Sequence, residues 1–138
     1  MILFDTSVII DLRDSKSPFH DWAADQVSNA VSSEGAAVNS VCVAETAVRA
    51  DKPDTVPLLL AGMGFNLLDL PISSAVPAAK AYAVYLDRRK AEVGTAPKTP
   101  LPDFLIGAHA QAEHMTLVTR DPTRVRKYFP DVSLITPD

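Results

Sequence analysis

Asp5, Glu45, Asp103 and Asp121 stand at comparable places along the chain. Asp5 closes the apolar run Met1-Ile2-Leu3-Phe4, and Asp121 follows a second apolar run, Met115 to Thr119. Glu45 lies one turn into a segment that reads as a helix, and Asp103 opens another directly behind Pro102, a residue tolerated at helix starts. In a parallel sheet all four carboxylates reach the same edge. Two of them about 5 Å apart repel by roughly 3 kcal/mol at an effective dielectric of 20, so the set would not stay ionised without a cation. No His or Cys stands at ligand-like spacing from these acids, which disfavours zinc. All-oxygen ligation suits Mg²⁺, with Mn²⁺ as a substitute. Such an ion activates water and withdraws charge from a phosphoryl group, the chemistry of phosphodiester hydrolysis. Asp5, Asp103 and Asp121 are the expected inner ligands, with Glu45 orienting water or helping to hold a second ion. Thr6, Ser7 and Thr119 are placed to hydrogen-bond the carboxylates or the phosphate.

Each acid alone has an ordinary reading. An Asp after a strand is commonly a turn or cap residue, Asp103 suits a helix dipole, and Glu45 has Arg49 four residues on. Asp11, Asp14, Asp51, Asp54, Asp69 and Asp87 read as solvated or capping residues. The signal is four carboxylates on one edge.

The elements that must position them follow from periodicity. Met1–Phe4 reads as a buried central strand, followed by a short helix at Val8–Leu12 that Thr6 or Ser7 would cap. Asp21–Val31 is helical, with Trp22, Val27, Ala30 and Val31 inward, and Ala36–Asn39 is a strand. Ser40 would cap a helix from Val41 to about Ala50, with Val41, Ala44 and Val48 on its packing side. A helix at Thr55–Met63 and a strand at Phe65–Leu70 follow; then a long helix runs from Ser73 or Ser74 to about Val93, packing through Tyr82, Tyr85 and Leu86. After a loop at Gly94–Pro100 come a helix from Asp103 to His114, a strand at Met115–Thr119, a short helix at Thr123–Tyr128 and a strand at Val132–Ile135. Gly107 inside its helix points to close packing of helix on sheet. The Asp103 helix rises roughly 18 Å and the next strand returns roughly 17 Å, which brings Asp121 back beside Asp103. Strands alternating with helices imply βαβ units and a mostly parallel sheet.

The 138 residues fit one domain, 1–138, with a single core. At 47% hydrophobic and 22% charged the chain is globular rather than disordered. No run is long enough to span a membrane and the start lacks a signal segment, so a cytoplasmic protein is expected. The single cysteine, Cys42, reads as a buried packing thiol. Thirteen basic against seventeen acidic residues give −4, but setting aside four metal-bound acids balances the rest. Global charge therefore neither favours nor excludes RNA. Local basic groups carry more information: Arg88-Arg89-Lys90, Arg120, and Arg124 with Arg126-Lys127. The first is most simply a wet helix end complementing the dipole.

The segments Ile2-Leu3-Phe4-Asp5-Thr6-Ser7, Ser40-Val41-Cys42-Val43-Ala44-Glu45, Pro102-Asp103-Phe104-Leu105-Ile106-Gly107-Ala108, Thr119-Arg120-Asp121-Pro122 and the tail from Tyr128 to Ile135 together resemble PIN domains. Within that superfamily they resemble the VapC ribonuclease toxins of prokaryotic toxin–antitoxin pairs. The resemblance implies a three-layer α/β/α sandwich around a five-stranded, mostly parallel sheet. It also implies a magnesium-dependent endoribonuclease, a homodimer and inhibition by a cognate antitoxin protein. It places the family's acids on Asp5, Glu45, Asp103 and Asp121 and its supporting hydroxyl on Thr119. Among the local basic groups, Arg120 and Arg124 are candidate RNA contacts. Gly107 stands where Ala is commoner in the family. Alternatives are an RNA-processing nuclease that is not a toxin, and a catalytically silent partner-binding module. A dehalogenase-like phosphatase would need an acid where Ser7 stands, and a phosphoacceptor receiver would need a lysine where Arg120 and Asp121 stand.

Overall fold

The computed structural model describes residues 1–92 and 101–137. Five strands form one sheet in the order β3-β2-β1-β4-β5: β1 Ile2–Phe4, β2 Ala36–Asn39, β3 Phe65–Leu68, β4 Thr116–Val118 and β5 Leu134–Ile135. Every pairing is parallel, with Leu3 opposite Ala37 on one side and Leu117 on the other. Seven α-helices flank it among the described residues: α1 Thr6–Leu12, α2 His20–Val31, α3 Ser40–Val48, α4 Val56–Gly62, α5 Ala75–Ala91, α6 Leu101–Ala112 and α7 Thr123–Tyr128. The expected loop at 94–100 and the end of the long helix at Val93 lie outside the described residues.

β1 is apolar at every position because it has helices over both faces. Ile2 and Phe4 point into a core shared with α1–α4, and Leu3 points into a second core under α5–α7. The first core is largely aliphatic. The second contains an aromatic cluster in which Phe104 meets Tyr82, Tyr85, Tyr128 and Phe129 at centroid distances of 5.2–6.4 Å. The tyrosines of α5 are partly buried, packed by one face against this cluster.

Several sequence expectations need correction. The first strand and helix are capped differently than expected: Asp5 occupies the N-cap position of α1, and Thr6 and Ser7 lie within its first turn. Asn39, not Ser40, caps α3, its side chain accepting from the Cys42 amide at 3.0 Å. Asn is as good a cap as Ser, and placing it there rotates the helix. Cys42 and Thr46 are buried, while Ala44 is exposed and Val48 is 86% exposed. Val31 is likewise exposed rather than inward. Its side chain lies against Gly64, where a Cβ would come within 2.9 Å of it. Gly107 does allow a close approach, but to the Phe129 ring rather than to the sheet: a Cβ there would sit 2.6 Å from a ring carbon. β3 stops at Leu68, two residues early, and β5 begins at Leu134, two residues late. Ser74 precedes α5 without a capping bond and donates instead to the Pro71 carbonyl.

Candidate functional site

β1 sits where the connectivity reverses, with β2 on one side and β4 on the other. In open parallel sheets the crevice outside the carboxyl ends of such strands is the usual ligand site. Asp5 leaves β1 there, the Thr119-Arg120-Asp121 turn leaves β4 there, and α3 leaves β2 carrying Glu45. Together with α6, these elements line a pocket of about 320 Å³ that contains Asp5, Glu45, Asp103 and Asp121 along with Thr6, Ser7, Arg120 and Arg124. The chain-length argument for Asp103 and Asp121 thus agrees with the fold. The packing of Phe104 fixes the start of α6 beside the β4 turn.

Hydroxyls organise the strand side. Ser7 and Thr119 both donate to Asp5 Oδ2, at 2.9 and 2.8 Å. Thr119 Oγ1 in turn accepts from the Asp121 amide at 3.1 Å, and Ser7 Oγ from the Arg120 amide at 3.3 Å. Thr6 donates to Glu45 Oε1 at 2.7 Å, which ties α1 to α3. Burial pushes the Asp5 carboxyl above its ordinary value; the Thr119 and Ser7 hydroxyls pull the other way. Among the described residues no Lys or Arg lies within ion-pair distance of Asp5. Asp103 is raised to about 6, first by burial; Arg124 opposes this, and the charges of Glu45, Asp5 and Asp121 add to it. Arg124 Nη1 lies 3.4 Å from Asp103 Oδ2.

Three features escaped the sequence reading. Asp11 is not a solvated acid: it is 4% exposed, lies 2.8 Å from Arg120 Nε and accepts from Ser17 Oγ. Arg120 also lies over the Phe19 ring, so its side chain is held on the α1 side of the pocket. Asn39 is bonded through its amide nitrogen to His109 Nδ1 at 3.0 Å in the core, linking the cap of α3 to α6. Burial lowers the pKa of His109, consistent with a neutral ring that accepts at Nδ1. Nothing in the sequence spacing of Asn39 and His109 signals this pair. Cys42 is buried, its thiol pushed up to about 12, and so is a packing residue rather than a nucleophile.

The donor chemistry fits a hard divalent ion. All four acids offer oxygen, and Asp5 is a half-buried carboxylate held by the Ser7 and Thr119 hydroxyls and the Thr6 amide. Among the described residues, no three His, Cys, Asp or Glu side chains are arranged as they stand to hold a metal together. Magnesium takes only one or two carboxylates directly and keeps several waters, so Asp5 with one neighbouring acid would meet its needs. No helix among the described residues is long and apolar enough to cross a membrane.

The fold recurs in solved toxin–antitoxin complexes. VapBC2 from Rickettsia felis, bound to a promoter DNA fragment, superimposes with a TM-score of 0.70 at 18% identity over 100% of both chains. FitAcB from Neisseria gonorrhoeae gives 0.66 at 20% identity, covering 99% of this chain and 98% of that one. A toxin–antitoxin complex from Klebsiella pneumoniae gives 0.63 at 21%, covering 100% and 98%. No curated protein sequence matches the chain. The family model of the PIN domain matches residues 2–129, and the chain belongs to that family.

Proposed function

We propose that the protein is a magnesium-dependent endoribonuclease and the toxin of a toxin–antitoxin pair. The observation that carries this reading is the convergence of Asp5, Glu45, Asp103 and Asp121 on one pocket at the sheet's switch point, with Asp5 half-buried and no Lys or Arg within ion-pair distance of it among the described residues. A bound Mg²⁺ supplies a water of lowered pKa and neutralises charge on the phosphoryl oxygens. Asp5, Asp103 and Asp121 would hold it, one or two of them directly and the rest through its waters, and Glu45 would orient water or help to hold a second ion. Thr119 and Ser7 fix the Asp5 carboxylate through its Oδ2. Thr6 holds Glu45 against the same site, and Arg124 meets a phosphate. Arg120, clamped by Asp11, contributes its backbone and the edge of its guanidinium.

The PIN family membership supports a nuclease. The similar solved structures are toxin–antitoxin complexes, which supports an antitoxin partner. A homodimer is part of the proposal; the exposed Val48 on α3 and Leu58 on α4 offer apolar surface for it. The test is cleavage of single-stranded RNA by the purified chain in Mg²⁺, with Asp5→Asn, Asp103→Asn and EDTA as controls. Activity lost in all three supports the reading, and full activity in either variant overturns it. Growth arrest on expression, relieved by a small DNA-binding protein encoded just upstream, separates a toxin from an RNA-processing nuclease.

A further inference from the structure

Away from the acidic pocket, α5 and α7 form a groove of about 490 Å³ with the opposite charge. Its wall on α5 is the stripe Val76, Lys80, Val84 and Arg88, each four residues from the next. Lys80 and Arg88 are therefore about 12 Å apart along the helix axis. Lys127 and Tyr128 of α7 form the other side, and among the described residues no Asp or Glu lines it. Lys80, Arg88 and Lys127 are exposed, in a chain whose net charge is −4. These three cations face the groove with no carboxylate among its described lining residues.

The groove and the pocket share α7: Arg124 lines the pocket and Lys127 the groove. Arg88 of α5 lies 5.3 Å from the Tyr128 ring, which closes the groove against α7. Lys127 is one turn beyond Arg124 on the same helix face, 5.8 Å from the Tyr128 ring. α7 is therefore a cationic ramp from the rim of the acidic pocket to the groove.

We infer that Lys80, Arg88 and Lys127 form a track that binds the phosphates of an RNA strand running out of the acidic pocket over α7. The inference rests on the nuclease reading for what the track leads to. The pocket sets Arg49, Arg120 and Arg124 against its four carboxylates, and two of those arginines are already engaged, Arg120 with Asp11 and Arg124 with Asp103, so cations beyond the pocket add to the affinity for a polyanionic strand. Apolar Val76 and Val84 between the cations accept sugars and base faces without sequence preference.

The test is the binding of a fluorescein-labelled 20-nucleotide single-stranded RNA to the full chain in EDTA, titrated with NaCl. Each phosphate contact on a single strand contributes about 0.7 to the slope of log K against log salt. The triple variant Lys80→Gln/Arg88→Gln/Lys127→Gln is expected to lose about 2 from that slope and about tenfold or more in affinity at low salt. The single variants are expected to lose about 0.7 each. With Mg²⁺, KM for the 20-mer rises in the triple variant, while cleavage of a trinucleotide that fills only the pocket stays as in the wild type. An unchanged slope in the triple variant, or no RNA binding by the wild type at 20 mM salt, overturns the track. So does displacement of the RNA by a glutamate-rich peptide of equal charge, which assigns the groove to an acidic protein segment. If the slope falls as expected but neither form cleaves RNA in Mg²⁺ or Mn²⁺, the nuclease reading fails while the track stands.

Discussion

On the strand wall of the acidic pocket, Asp5 is fixed by two hydroxyls that are themselves fixed by backbone amides. On the helix wall, Asp103 has a side chain 29% exposed and one long contact to Arg124. The same chemical group is thus rigid on one wall and adjustable on the other. The strand wall gets its rigidity from position: β1 is the central strand and has no freedom to move. The helix wall depends on how α6 packs through Phe104 onto α5 and α7. If the pocket takes a cation as proposed, Asp5 would be the preorganised ligand and Asp103 the one that adjusts. Arg124 neutralises Asp103 before a cation binds.

The largest expected difference between the walls comes from Asp5→Asn. An Asn Oδ1 still accepts from Thr119 and Ser7, but the anion is gone. RNA cleavage should fall by about 10³-fold, the scale of losing one group that meets charge developing in a transition state. The metal-free protein should nevertheless melt at a higher temperature than the wild type, because burial disfavours the Asp5 anion. Thermal melts in EDTA check this. A lower melting temperature would show that Asp5 is structural and would reduce the contrast with Asp103 to one of exposure.

Asp103 should show its character in the pH dependence of stability. Its folded carboxyl holds a proton up to about pH 6, whereas the ordinary value is 3.8. Folding therefore takes up a proton between those values. The metal-free protein should lose stability as pH rises through that window, with the full cost present above about pH 6. At roughly 1.4 kcal/mol per pKa unit, this amounts to at most about 3 kcal/mol. The difference in urea-unfolding free energy between Asp103→Asn and wild type, measured at pH 4 and pH 7.5 in EDTA, isolates it from the other carboxylates. Saturating Mg²⁺ should abolish the dependence. A wild-type protein that gains on Asp103→Asn with rising pH would mean that Arg124 overrides burial.

How far the sequence reveals this arrangement depends on the kind of interaction. Strand positions and the acid quartet are legible because each is local: an apolar run ending in a polar residue marks its own end. The parallel sheet follows from alternation, and the meeting of Asp103 with Asp121 follows from equal path lengths out and back. Side-chain partners that join distant elements leave no local mark. Arg120 with Asp11, and Asn39 with His109, become neighbours only once β1, β2 and β4 lie side by side. The inward face of α3 was misjudged for a related reason. Two adjacent residues, Asn39 and Ser40, both suit a helix cap, and choosing the wrong one turns the helix by about 100°, enough to exchange Val48 for Cys42 and Thr46.

Thr119→Val tests the rigid wall at smaller scale. It removes the donor to Asp5 Oδ2 and the acceptor for the Asp121 amide while keeping the shape of the side chain. Loss of a group that orients a metal ligand typically lowers metal affinity about 10- to 100-fold, and Mg²⁺ titration calorimetry should show a decrease in that range. The flexible wall should respond in the opposite sense. Arg124→Gln takes away the cation that competes for Asp103, and an exposed pair of this length is worth at most about 1 kcal/mol. Mg²⁺ affinity should therefore rise, by no more than about fivefold, while KM for RNA increases because a phosphate contact is lost. If Arg124→Gln instead weakened Mg²⁺ binding, Arg124 would be holding Asp103 in its ligating position. Both walls would then be prebuilt, and the division into a fixed and a closing side would have to be abandoned.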